Sequence, residues 1–178
     1  MLKRFYPYEY APSVFAIDYE KLYGNGVRGL IFDVDNTLVH HNDDATPEVE
    51  ELFVRLHEIG FKTVLLSDNL RSRLESFTKN IDTPFICDAD KPKPEGYKKA
   101  LGVLKMKKAK VVSIGDQMFV DTVGANRLGI PNILVHFITV PGETRIGKKR
   151  YIEKLILGIY RRSSKYTHRL GTDIIKER

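Results

Sequence analysis

Residues 29–42 read GLIFDVDNTLVHHN, and this stretch decides both the fold and the place of the candidate site. The apolar run Leu30–Phe32 is typical of a short strand buried on both faces of a sheet. Asp33 and Asp35 follow at once, so two carboxylates stand two residues apart where the strand ends. Crowded carboxylates repel each other and favour a bound cation or a shared proton. The stretch therefore predicts a buried strand that leads into a reactive site.

The composition is that of one globular domain. With 178 residues and 42% hydrophobic residues, the chain can bury a sizeable core. Its one cysteine, Cys87, excludes an internal disulfide and cannot by itself form a zinc site. The first residues contain no apolar stretch like that of a signal peptide, and no segment approaches the length of a membrane span. We therefore expect a cytoplasmic protein.

The net charge of +6 is unevenly distributed. Residues 144–178 contain 11 Lys and Arg against 3 Asp and Glu, which leaves 18 against 20 for the rest of the chain. The basic character therefore belongs to the tail. We predict an N-terminal arm with a short helix over 1–26, a core over 27–143, and a basic C-terminal helix and tail over 144–178.

Apolar runs alternate with amphipathic segments along the core. Strands are predicted at 30–32, 61–66, 83–87, 110–114 and 132–137. Helices are predicted at 47–59, around Leu74, at 95–104 and at 120–128. The alternation indicates an α/β fold of the Rossmann-like kind, an open and mainly parallel sheet of five or more strands with helices on both faces.

Polar side chains gather where these strands end, which is where open parallel sheets bind ligands. They are Asp33, Asp35, Ser67, Lys91 and Asp116. Each alone is an ordinary loop or capping residue, but together they offer oxygen ligands for a cation such as Mg²⁺ and positive charge for a phosphoryl group. One carboxylate can attack phosphorus while a second moves a proton. The set predicts phosphoryl-transfer chemistry.

The order of these motifs resembles that of the haloacid dehalogenase superfamily. DVDNTL at 33–38 is similar to its first motif, Ser67 to its second, KPKP at 91–94 to its third, and GDQMFVD at 115–121 to its fourth. The resemblance implies Mg²⁺ as cofactor, with Asp33 as nucleophile and Asp35 as general acid and base. An aspartate at position 35 implies a phosphatase.

The resemblance also implies the binding residues. Those implied to hold the transferred phosphoryl group are Ser67, Asp68, Asn69 and Lys91. Those implied to bind Mg²⁺ are Asp33, Asp35 through its backbone carbonyl, Asp116 and, in a supporting place, Asp121. Lys93 is an alternative to Lys91 as the motif lysine. His40 and His41 follow the first motif and could touch the substrate, but we do not expect them to bind metal.

The spacing of the motifs leaves no room for a cap domain, the lid that many members of the superfamily carry. Ser67 lies 34 residues after Asp33, and Lys91 lies 24 residues after Ser67. A loop, a helix and a strand use up each interval. An uncapped site suits a substrate whose bulk lies outside the pocket, although a second subunit could supply a lid.

Within the superfamily the layout resembles the capless YqeG family of small bacterial phosphatases. The matching features are VRGLIFDVDNTLV, LLSDN, KPKPEGY, GDQMFVDTVGANRLG and the basic C-terminus. That family is related to organellar phosphatidylglycerophosphate phosphatases, so the implied substrate is phosphatidylglycerophosphate. The alternatives are a soluble phosphate monoester or phosphoprotein as substrate, or an RNA- or ribonucleoprotein-binding protein with a vestigial site.

The segment YIEKLILGIY at 151–160 forms an amphipathic helix pattern with basic residues around it. Such a helix can lie on an anionic membrane surface, which would place the protein at the inner face of the cell membrane. Alternatively, it packs on the sheet and its charges are solvated. We favour a lipid headgroup over nucleic acid as the partner.

Overall fold

The computed structural model describes residues 2–142 and 147–176, and a parallel sheet lies at its centre. The strands are β1 (Glu9–Ala11), β2 (Gly29–Phe32), β3 (Lys62–Leu66), β4 (Phe85–Ile86), β5 (Val111–Gly115) and β6 (Asn132–Val135). They are ordered β1-β6-β5-β2-β3-β4, and every neighbouring pair is parallel. The predicted open parallel sheet is therefore confirmed.

Helices cover both faces of this sheet. They are α1 (Tyr19–Gly24), α2 (Pro47–Ile59), α3 (Arg71–Phe77), α4 (Pro94–Leu104), α5 (Val123–Leu128) and α6 (Lys148–Arg161). Helix α2 shows why its boundaries were readable: the Thr46 hydroxyl accepts a hydrogen bond from the Val49 amide, and Gly60 ends the helix at φ 107°. A π-helical segment, Met118–Thr122, precedes α5, so the chain turns helical two residues before the predicted start.

The alternation along β2 divides the core into two layers. Leu30 and Phe32 belong to the cluster that contains the buried residues of α1, α2 and α3. Ile31 points to the opposite face and belongs to the cluster built on α4 and α5. A strand that is buried on both faces holds its C-terminal end in a fixed position. Asp33, the next residue, is placed there.

The two ends of the chain add to the core. The predicted arm 1–26 contributes β1, which pairs with β6 at one edge of the sheet. Near the C-terminus, Ile174 is buried in the main cluster and Ile175 bridges to Ile17. The predicted boundary at residues 143 and 144 lies outside the described residues.

No cap domain interrupts the described motifs. The chain between Asp33 and Ser67 forms a loop, α2 and β3, and the chain between Ser67 and Lys91 forms α3 and β4. Across residues 2–142 and 147–176, no helix combines the length and the apolar character needed to cross a bilayer.

Candidate active site

A cavity of about 430 Å³ opens at the carboxyl ends of β2 and β3. Its walls bring together most of the residues that the sequence singled out. They are Asp33, Asp35, Asn36, His40, His41, Ser67, Asp68, Asn69, Lys91 and Gln117. Strand ends converge here because the sheet is parallel, so residues far apart in sequence share one wall.

Lys91 lies at the floor of this cavity, between two carboxylates. Its Nζ lies 2.6 Å from Oδ1 of Asp33 and 2.8 Å from Oδ1 of Asp121, and its side chain is 4% exposed. Burial alone would lower the pKa of Lys91, but the carboxylates of Asp121 and Asp33 raise that pKa well above its usual value. Lys93 is 64% exposed and pairs with Asp90 instead. The geometry therefore places Lys91, and not Lys93, at the candidate nucleophile.

Three buried carboxylates form the candidate metal centre. Oxygens of Asp33, Asp116 and Asp121 all lie within 4.8 Å of one another. Burial raises the pKa of Asp33 to about 8, with the nearby Asp121 and Asp116 adding to the effect and Lys91 opposing it. Burial likewise raises the pKa of Asp116 to about 6, with Asp121 adding to it. This excess of buried acidic groups over lysine fits a hard divalent cation, which would favour their ionised forms.

Thr37, a residue of the first motif to which the sequence assigned no role, joins two of these carboxylates. Its hydroxyl lies 3.2 Å from Oδ2 of Asp33 and 3.2 Å from Oδ1 of Asp116. With Lys91 on the other oxygen of Asp33, both oxygens of that carboxylate have a partner. The carboxylate of Asp33, the candidate nucleophile, is therefore held in one orientation.

The carboxylate of Asp35 lies apart from the buried cluster. It accepts hydrogen bonds from the side-chain amide of Asn69 at 2.9 Å and from the guanidinium of Arg73 at 3.3 Å. Nδ1 of His41 lies 3.0 Å from the same carboxylate. Burial would raise the pKa of Asp35, but the Asn69 hydrogen bond, the Asn42 amide and the charges of Arg73 and His41 together lower it. The separation leaves this side chain available for proton transfer and agrees with a metal contact through its backbone carbonyl alone.

The loop after β3 carries the remaining predicted phosphate-binding residues. Ser67 is buried, and its hydroxyl accepts a hydrogen bond from the backbone amide of Asn69 at 3.2 Å. The Asp68 carboxylate accepts a hydrogen bond from the Lys91 backbone amide at 2.9 Å. The Asn69 side chain donates a hydrogen bond to Asp35. The side chains of Asp68 and Asn69 thus shape the site, and Lys91 and Ser67 are left as the side chains suited to a phosphoryl group.

Arg150 is a site residue that sequence reasoning missed. It lies in α6, and its guanidinium donates to the Asp116 carboxylate and, at 2.7 Å, to the Asp116 backbone carbonyl. It also forms an ion pair with Glu153 at 3.0 Å, and Glu153 accepts a hydrogen bond from the Met118 backbone amide. One signal was available: Glu153 is the single acidic residue of α6, placed three residues after Arg150 where the two can pair. Arg73, bonded to Asp35, was missed as well and has no such signal.

The comparisons with known proteins agree with this geometry. Residues 39–129 match the family described as haloacid dehalogenase-like hydrolase. The chain belongs to that family. It is 36% identical over 164 residues to "Probable phosphatase YqeG" of Bacillus subtilis strain 168, and the match spans 91% of this chain and 95% of that protein.

The chain is also similar to a more distant relative and to a solved structure. A "Glyceraldehyde 3-phosphate phosphatase" of Pyrococcus furiosus is 24% identical over 110 residues, which span 54% of this chain and 46% of that protein. A crystal structure of an uncharacterized protein from Listeria monocytogenes serotype 4b superposes with a TM-score of 0.53 at 16% identity, covering 77% of this chain and 100% of that one. The structural likeness supports the fold of this haloacid dehalogenase-like chain.

Proposed function

We propose that this protein is a Mg²⁺-dependent phosphatase that removes the terminal phosphate of phosphatidylglycerophosphate and leaves phosphatidylglycerol. The observation that carries the proposal is an uncapped catalytic cavity whose carboxylate cluster is bonded directly to a basic, partly apolar helix, α6. A lipid headgroup can reach such a cavity while the acyl chains stay in the bilayer.

The first half-reaction begins at Asp33. A carboxylate oxygen of Asp33 attacks the phosphorus of the terminal phosphate, and the bond from phosphorus to the glycerol oxygen breaks. The leaving oxygen takes a proton from the carboxylic acid of Asp35 and departs as the hydroxyl of the lipid product. The ammonium group of Lys91 supplies positive charge to the phosphoryl oxygens, and the hydroxyl of Ser67 donates a hydrogen bond to them. The product of this step is an aspartyl-phosphate at Asp33.

The second half-reaction releases phosphate. Asp35, now a carboxylate, accepts a proton from a water molecule as the water oxygen attacks phosphorus. The bond from phosphorus to Asp33 breaks, which restores the carboxylate and frees inorganic phosphate. The hydrogen bonds that lower the pKa of Asp35 favour its ionised form, which this step requires. Mg²⁺ held by Asp33, Asp116 and Asp121 would supply positive charge to the phosphoryl oxygens.

Helix α6 supports a membrane-bound substrate. One of its faces packs on the sheet through Ile156 and Tyr160. Another face exposes large apolar side chains: Tyr151 at 61%, Ile152 at 52%, Leu155 at 68% and Ile159 at 41%. Exposed apolar residues flanked by Lys and Arg suit the interface of an anionic bilayer. The same proposal places the protein in the cytoplasm, bound peripherally to the inner face of the cell membrane.

A soluble phosphate monoester is the second candidate substrate. It is favoured by the name of the Pyrococcus furiosus relative, a glyceraldehyde 3-phosphate phosphatase at 24% identity. The intact cluster of Asp33, Lys91 and Asp121 argues against a vestigial site on an RNA-binding protein.

The test is a substrate panel under one set of conditions. Phosphate release is measured from phosphatidylglycerophosphate in detergent micelles, glyceraldehyde 3-phosphate and a phosphopeptide, each with Mg²⁺ and with EDTA. We expect the lipid to have the highest kcat/KM, by at least about tenfold, and Asp33→Asn to abolish release. A soluble compound that exceeds the lipid would replace the substrate in this proposal, and no Mg²⁺-dependent release from any compound would overturn the phosphatase itself.

A further inference from the structure

A second cavity of about 280 Å³ lies between α6 and the carboxyl end of β6, and we call it the α6 groove. Asp116, a member of the carboxylate cluster, forms part of its wall. Gln117 lines the catalytic cavity and Met118 lines the α6 groove. The two cavities are therefore neighbours along the segment after β5, and the catalytic mechanism gives the groove itself no role.

Cations line one side of the groove. Arg150, Lys154 and Arg161 project from α6 at spacings of four and seven residues, which places them on one face of the helix. Arg150 is already paired with Asp116 and Glu153. Among residues 2–142 and 147–176, no carboxylate pairs with Lys154 or Arg161. No carboxylate of that part of the chain therefore neutralises these two charges.

His136 and Tyr10, on the opposite wall of the groove, lie close to the same cations. Burial lowers the pKa of His136, and the charges of Lys154, Arg150 and Arg161 lower it further. Nδ1 of His136 lies 3.3 Å from the Tyr10 hydroxyl, and the guanidinium of Arg161 lies 4.7 Å from the centre of the Tyr10 ring. The positive charges therefore converge on one place at the groove wall, where an anion would be favoured.

The rest of the lining is apolar or open. Met118, Leu134 and Leu157 supply apolar surface, and Gly158 has no heavy atom within 4 Å of the position that a Cβ would take. A ligand that combines an anionic group with a neutral, partly apolar portion matches such a lining. Inorganic phosphate alone would leave the apolar wall uncovered.

We propose that the α6 groove binds a second anionic group of the substrate, a phosphodiester that a short glycerol linker joins to the phosphate at Asp33. Lys154 and Arg161 contact the diester oxygens, and the apolar wall receives the adjoining glycerol carbons. Asp116 lines the groove, and one of its oxygens lies within 4.8 Å of an oxygen of Asp33, which lines the catalytic cavity, so one molecule with two phosphates can reach both. This inference rests on the proposed function and adds to it a determinant of substrate choice.

The test uses two soluble probes and needs no turnover. One probe is the deacylated headgroup, which carries a phosphomonoester and a phosphodiester, and the other is glycerol 3-phosphate, which carries the monoester alone. Binding of each to Asp33→Asn is measured by calorimetry, then repeated after adding Lys154→Ala and Arg161→Ala. The matched control is Arg162→Ala, an exposed cation directly after α6 that does not line the groove.

We expect the headgroup to bind at least about tenfold more tightly than glycerol 3-phosphate, since a charge-assisted hydrogen bond is worth that much. The double variant should reduce this preference about tenfold, and Arg162→Ala should leave it intact. Equal binding of the two probes, or a preference that survives the double variant, would overturn the inference. Failure of the proposed function shows separately, as no phosphate release from the lipid by the wild type.

Discussion

Arg150 is bonded twice to Asp116 across 34 residues of sequence, once through the carboxylate and once through the backbone carbonyl. The other carboxylate oxygen of Asp116 faces Thr37 and the buried cluster. Arg150 therefore fixes which oxygen of Asp116 is turned toward the candidate metal centre, and it ties the position of α6 to the same cluster of carboxylates. A partner of this kind behind a metal ligand commonly controls metal affinity.

Arg150→Ala should weaken Mg²⁺ binding at least about tenfold, because Asp116 loses its orienting partner. The Mg²⁺ affinity of Arg150→Lys should lie between those of the wild type and Arg150→Ala. Lysine keeps the positive charge but loses the bidentate contact with Asp116. Calorimetric titration of Mg²⁺ measures this without turnover, and Arg162→Ala is the matched control. Unchanged or tighter Mg²⁺ binding by Arg150→Ala would show that Arg150 does not support the metal centre.

Asn69→Ala should move the acidic limb of the kcat–pH profile to higher pH. The Asn69 amide stabilises the ionised form of Asp35, so its loss raises the pKa of Asp35, and the base needed for the second half-reaction becomes ionised only at higher pH. Asn80→Ala is the control, since Asn80 bonds to Glu50 on the surface. An acidic limb that stays in place or moves to lower pH contradicts this role of Asn69.

Gly115→Ala should abolish most activity. A Cβ at position 115 would lie 2.4 Å from Cγ of Asp121, so the carboxylate that holds Lys91 must move. We also expect a loss of about 1–3 kcal/mol in the free energy of unfolding. Gly102→Ala is the contrast: it is helical with no heavy atom within 4 Å of a Cβ, so it should gain about 0.5–1 kcal/mol.

Urea unfolding and the phosphatase assay together measure this pair of glycine variants. If the displaced Asp121 carboxylate is the cause, Gly115→Ala loses activity even under conditions where it is fully folded. Activity equal to that of the wild type would mean that Asp121 is not needed where the structure places it.

Leu155→Ser should weaken binding to vesicles of phosphatidylglycerol mixed with phosphatidylcholine by about tenfold. The reason is that burial of one such side chain contributes about 1.5–3 kcal/mol. The control is Val54→Ser on α2, an apolar residue that is 57% exposed, against 68% for Leu155. Vesicle sedimentation measures both variants. Equal losses, or none in either, would count against α6 as the membrane contact.

Much of the site was predictable because strand ends and local spacing determine it. Asp33 follows a strand that is buried on both faces, and α2 has a readable start at Thr46 and end at Gly60. Strand β1 was missed because it has three residues, including Glu9, and so lacks a clear apolar pattern.

The missed site residues depend on tertiary contacts. Arg73 reaches Asp35 across 38 residues of sequence, and Arg150 reaches Asp116 across 34. No local period encodes a contact of that range, and the local signal at Arg150, the acidic Glu153 three residues later, does not point to Asp116 as a partner. The hydrogen bond from the Asn69 side chain to Asp35 likewise depends on the approach of two strand-end loops.

The most direct test of the account is to trap the covalent intermediate. Wild-type protein is mixed with Mg²⁺ and phosphatidylglycerophosphate labelled with ³²P in its terminal phosphate, quenched in acid within one turnover, and digested. The account predicts a labelled peptide that contains Asp33, absent from Asp33→Asn. Phosphate release with no labelled peptide, or with label on another residue, would contradict it.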